Sequence, residues 1–145
     1  MNDKQEKNIF KDYQSYIIIK MPTIYVLKLN NNQYYIGKTN NYEKRLRDHK
    51  LGKGNIFTRG KNIEVIERLE QRDCFDEDNY TKKYMFKHGF ENVRGGSYTT
   101  KDLNKNTIRF LQKEKDTIND ACFECHEKGH FTNECPNRCN KRKRT

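Results

Sequence analysis

Two β-rich runs either side of an asparagine turn constrain this chain more than any other stretch. Ile24-Tyr25-Val26-Leu27-Lys28-Leu29 leads through Asn30-Asn31-Asn32 into Gln33-Tyr34-Tyr35-Ile36-Gly37. β-branched and aromatic residues suit a pleated, half-buried surface, and asparagine suits a tight turn, so the segment predicts a hairpin. Asn40 or Asn41 can then cap a helix running to about residue 50, with Tyr42, Arg45, Leu46 and His49 on one face. Gly52 and Gly54 end it, and Ile63-Glu64-Val65-Ile66-Glu67-Arg68-Leu69 alternates as a third strand. A second helix is expected from about residue 75 to 88, closed by Gly89, with Gly95-Gly96 opening a turn-rich loop.

The 145 residues have room for one compact domain and a small appendage. Nine tyrosines and eight phenylalanines can build a small core, which excludes full disorder. No apolar run approaches the roughly 20 residues that cross a bilayer, and the N-terminus lacks the apolar core of a signal peptide. An intracellular protein without a membrane partner is expected, its compartment left open. The net charge of +10 favours phosphate polymers or anionic surfaces as partners. Lys38, Lys44, Arg45, Arg47, Lys50, Lys53, Arg59 and Lys61 face only Glu43 and Asp48 over that span, eight cations against two acids. A solvated basic face is the alternative to a binding surface. Residues 1–21 read as a loosely ordered extension, 101–120 as a helical connector and 137–145 as a basic tail.

Taken together, Thr23-Ile24-Tyr25, then Tyr35-Ile36-Gly37, the basic helix Glu43-Lys44-Arg45-Leu46-Arg47-Asp48-His49, Glu77 and Asn92 resemble the GIY-YIG nuclease family over residues 23–97. One departure is Thr23, where the family's name-giving glycine stands. The resemblance implies an α+β domain over residues 22–100, with a small three-stranded antiparallel sheet flanked by helices. It also implies metal-dependent hydrolysis of phosphodiesters, with Mg²⁺ (or Mn²⁺) as cofactor, and one of Tyr25 and Tyr35 activating or orienting the attacking water. Asn92 matches a site-edge asparagine of the family, a turn former being the alternative.

The residue types fit that chemistry. On a helical wheel Glu77 shares the stripe of Thr81, Tyr84, Met85 and His88, whereas Asp76 and Asp78 lie about 100° to either side. A buried carboxylate needs a partner or a metal, and one hard oxygen ligand suits Mg²⁺. Arg45 offers a planar fork for phosphate, a packed salt bridge to Glu77 being the alternative, and His49, one turn on, can tune a tyrosine or contact phosphate, a core histidine being the alternative. A free phenol has a pKa of about 10, so Tyr25 or Tyr35 as a base needs nearby cations, for which Lys38 and Arg45 are candidates. Lys38 and Arg47 are candidates for contact with nucleic acid.

Near the C-terminus, Cys122, Cys125, His130 and Cys135 have the spacing C-x2-C-x4-H-x4-C. This segment, 121–136, resembles a CCHC zinc knuckle. Three thiolates and an imidazole close a tetrahedral structural Zn²⁺ site, and binding supplies the folding energy that so short a segment lacks. Phe123 and Phe131 offer faces on which single-stranded bases can stack. A protein-contact module is the alternative; His126 and Cys139 are spare ligands, and Cys74 is expected to be buried. The combined expectation is a metal-dependent endonuclease acting on nucleic acid, DNA ahead of RNA, whose knuckle assists binding. The rival is an inactive scaffold that binds nucleic acid through its knuckle and basic face. Oligomeric state and substrate structure stay open.

Overall fold

The computed structural model describes residues 21–138. The extension up to residue 20, the tail from residue 139 and Cys139 itself lie outside these residues. The chain divides into two compact units, one ending at Asp102 and the other beginning at Leu103.

In the first unit the order is β1 (Thr23–Lys28), β2 (Tyr34–Thr39), α1 (Tyr42–Lys50), β3 (Glu64–Glu70), α2 (Asp76–His88) and β4 (Val93–Gly95). The strands lie in the order β3-β1-β2-β4. β1 pairs antiparallel with β2 and with β3, as expected, while β4 runs parallel to β2. The architecture is α+β, but the sheet has four strands and is mixed rather than three-stranded and antiparallel. Three residues ending in glycine carry no readable period. What holds β4 is Arg94, a buried guanidinium that donates to the carbonyls of Phe90, Val93, Thr100 and Lys101 at 2.6–3.0 Å.

The hairpin turn forms where expected, with Asn31 and Asn32 at φ 59° and 56°, a region asparagine tolerates. Both faces of β1 are covered, so Ile24, Tyr25, Val26 and Leu27 are all buried. On one face Tyr25, Leu27, Leu29, Tyr35 and Phe57 form a core that Tyr42, Leu46, Ile63 and Val65 complete. α1 lies over this face, its first turn capped by the Asn41 side chain, which accepts from the Lys44 amide at 3.1 Å. On the other face Tyr34 stacks on His88 of α2 at 4.1 Å, and α2 buries Thr81 and Met85. Cys74, expected to be buried, is exposed. Asp73 and Asp76 accept from the amides of Arg72, Asp73 and Phe75, and Cys74 stands outside the core in that turn.

The second unit holds α3 (Lys105–Ile118), whose N-cap Asn104 accepts from the Thr107 amide at 2.8 Å. On this helix Leu111 is buried, whereas Phe110 stays 73% exposed. No helix among the described residues is long and apolar enough to cross a membrane.

Tyr25 pairs with Gly37 across the hairpin, and a Cβ on Gly37 would collide with the Tyr25 ring. Gly37→Ala should therefore destabilise the fold by about 1–3 kcal/mol through overpacking, read by denaturant unfolding. An unchanged midpoint would mean the ring is free to move aside.

Candidate active site and metal centre

The hairpin register sets Tyr25 and Tyr35 on the face that α1 covers, and the helical spacing of Arg45 and His49 turns both toward them. The Tyr25 hydroxyl lies 2.9 Å from His49 Nε2 and accepts from Arg45 Nε at 3.2 Å. The His49 ring also packs edge-on against Tyr35, with centroids 5.2 Å apart. His49 is 2% exposed, and a Cβ on Gly54 would collide with its ring. Four of the expected site residues thus form one connected group.

A fifth member, Thr58, had no signal in the sequence. Its hydroxyl donates to the Asn55 carbonyl at 2.9 Å, so toward His49 Nδ1, 3.0 Å away, it acts as acceptor. Nδ1 therefore carries the ring proton, and Nε2 is left to accept from Tyr25. The expectation that cations lower the tyrosine pKa is corrected here. Burial dominates and pushes Tyr25 up to about 12, although Arg45 pulls it down. Tyr35 is raised for the same reason. Burial, and then the Arg45 charge, lower His49 to about 4. At neutral pH the group is a protonated phenol facing a neutral imidazole.

Glu77, in the first turn of α2, lies 3.6 Å from the Lys38 ammonium. Burial raises its carboxyl pKa, against the pull of Lys38 and of the Gly96 amide. Its charge in turn raises both tyrosines. Lys38 thus serves Glu77, not the phenols. Asp76 and Asp78 turn away, as the wheel predicts. Asp76 accepts from the amides of Arg72 and Asp73, which hold its carboxyl below the ordinary range. Asp78 accepts from the amide and hydroxyl of Ser97 at 2.7 and 2.6 Å, fixing the turn that presents Gly96 to Glu77. Among the described residues the one cluster of three or more potential metal ligands lies elsewhere. A divalent cation at Glu77 would therefore have fewer than three carboxylate, imidazole or thiolate ligands from the described residues, with water and phosphate oxygens left to complete its sphere. Arg47 is exposed on α1, and the Asn92 amide donates to the His88 carbonyl at 2.8 Å, closing the end of α2.

In the second unit Cys122, Cys125, His130 and Cys135 bring their ligand atoms within 4.8 Å of one another. Three thiols and an imidazole converging in this way match a tetrahedral zinc site. Against burial, the backbone amides of Cys125 and Glu124 pull the Cys122 thiol down, while burial and the neighbouring thiols push Cys135 up. His126 is outside the centre, its Nδ1 being 2.7 Å from Asp116. Phe123 and Phe131 are 48% and 63% exposed.

The hydrogen-bond pattern makes His49 testable by NMR. Its folded pKa lies below the value of about 6.5 expected in the unfolded chain, so at pH 5.5 the ring should be neutral and protonated on Nδ1, titrating near 4. Stability should be fully present above pH 6.5 and fall as the unfolded chain takes up a proton that the folded one refuses. Titration near 6.5 would contradict the assigned environment.

The chain matches the GIY-YIG catalytic domain over residues 21–85. It is 32% identical over 91 residues to a UPF0213 protein of Bacillus licheniformis, covering 63% of this chain and 79% of the relative. A UPF0213 protein of Clostridium perfringens is 34% identical over 67 residues, 43% of this chain and 72% of the relative. Another, from Oceanobacillus iheyensis, is 45% identical over 44 residues, 30% and 51% respectively. No solved structure matches the chain. The matched residues 21–85 include Tyr25, Tyr35, Arg45, His49 and Glu77, and with relatives aligned over most of their own length the chain belongs to the GIY-YIG family.

Proposed function

We propose that this protein is a divalent-metal-dependent endonuclease that hydrolyses phosphodiester bonds in nucleic acid, DNA ahead of RNA, and that its zinc knuckle assists substrate binding. The nuclease domain spans residues 22–100, the connector 101–120 and the knuckle 121–136. The observation that carries the reading is the hydrogen-bonded run from Arg45 through Tyr25 and His49 to Thr58.

Hydrolysis needs a deprotonated water, stabilisation of charge on the phosphoryl oxygens and an oriented substrate. Ionising Tyr25 to solvent at pH 7 would cost about 7 kcal/mol from its pKa of about 12, which rules out a standing phenolate. A relay avoids that cost. The Tyr25 oxygen accepts from Arg45, donates its own proton to His49 Nε2 and keeps a lone pair for a water proton. His49 is a weak base in the free protein, partly because of the Arg45 charge. A phosphate paired with Arg45 neutralises that contribution and raises His49 toward its ordinary value, so base strength rises when substrate arrives. Tyr35 packs beside the imidazole and orients the same site. The chemistry supplied by a divalent cation held at Glu77 is charge neutralisation at the scissile phosphate. Lys38, now paired with Glu77, would be released toward the phosphate backbone.

The test is cleavage of plasmid, single-stranded and branched DNA and of RNA by purified protein with Mg²⁺ or Mn²⁺. Glu77→Ala should abolish cleavage while leaving affinity largely intact, since the attraction to nucleic acid comes from the cations. Arg45→Lys keeps charge but loses the planar fork, and turnover should fall steeply at similar affinity. Full turnover by Glu77→Ala would remove the metal assignment. Binding without cleavage of any substrate would favour the inactive scaffold.

A further inference from the structure

One exposed face of α3 carries Lys105, Arg109 and Lys113 at four-residue intervals, which places them about 6 Å apart along the helix axis. This stripe borders an open groove of about 510 Å³ between α3 and the start of the knuckle, whose lining also includes Ile108, Phe123 and His126. The acid among the lining residues, Asp116, is 3% exposed, and its oxygens are taken by Gln112 Nε2 at 2.8 Å and His126 Nδ1 at 2.7 Å. Its carboxylate is therefore buried and hydrogen-bonded inside the unit, and the exposed charged side chains of the lining are the cations Lys105, Arg109 and Lys113. At one end of the stripe the Lys113 ammonium lies 5.6 Å from the centroid of the half-exposed Phe123 ring. A row of cations leading to an aromatic face is the arrangement that holds a single strand, phosphates along the row and a base on the ring. Phe131, by contrast, does not line this groove.

We propose that the groove between α3 and the knuckle is a single-stranded nucleic-acid site, in which Lys105, Arg109 and Lys113 follow successive phosphates and Phe123 stacks a base. α3 is then part of the binding surface, not a spacer. The proposal rests on reading the knuckle as a nucleic-acid module and extends that reading to residues outside the zinc motif.

The experiment uses the full zinc-loaded chain, in Mg²⁺-free buffer, titrated against labelled oligo(dT), oligo(U) and polyglutamate over a range of salt. The triple variant Lys105→Gln, Arg109→Gln, Lys113→Gln keeps residues that suit a helix, and zinc content and circular dichroism report its fold. Its affinity for the oligonucleotides should fall at least about tenfold, and the slope of log affinity against log salt should shrink by about 2. Phe123→Leu should cost about tenfold with the slope unchanged. Phe131→Leu tests the knuckle reading separately. If it weakens binding while the triple variant and Phe123→Leu do not, the groove is wrong and the knuckle reading stands. If none of the variants changes affinity, both fail. Polyglutamate bound as tightly as the oligonucleotides, with the same loss in the triple variant, would overturn the proposal in favour of an acidic protein partner.

Discussion

The Tyr25 ring crossing the hairpin above Gly37 is the contact on which the first unit depends. It fills the core face beneath α1, and it brings the phenol hydroxyl to Arg45 and His49. Core and candidate chemistry therefore share one side chain. The burial that makes Tyr25 a good core residue also drives its pKa up to about 12, which removes the simple route of a phenolate base. Beside the phenol stands a neutral imidazole held in one tautomer by Thr58, its Nε2 facing the Tyr25 hydroxyl.

Much of this was legible in the sequence because the deciding patterns are local. The hairpin, a helix cap at Asn40 or Asn41, the buried face of α1 and the separation of Glu77 from Asp76 and Asp78 on α2 all follow from periodicity and turn chemistry. What was not legible depends on partners distant in the chain or too short to show a period. β4 is three residues held by the Arg94 guanidinium, and Arg94 gave no sign of burial beside its glycines. Thr58 lies nine residues beyond His49 in an irregular loop, where nothing local distinguishes it from any other threonine. The sign of the tyrosine shift also needed the fold, since cations are visible in a sequence and the depth of burial is not.

The two units solve stability differently. The first has an aromatic core on both faces of a sheet. The second buries little beyond Leu111, Asp116, Ala121, Cys122 and Cys135, and a metal ion held by its converging thiols and imidazole would stand in for a core. Freed from packing, Phe123 and Phe131 can stay exposed.

In the proposed reaction Tyr25, through His49, handles the proton of the attacking water. Single-turnover cleavage by Tyr25→Phe and Tyr35→Phe at saturating substrate tests it most directly. Tyr25→Phe should lose about 10²–10⁴-fold with affinity retained, and Tyr35→Phe should lose less. Cleavage by Tyr25→Phe at the unaltered rate would contradict it.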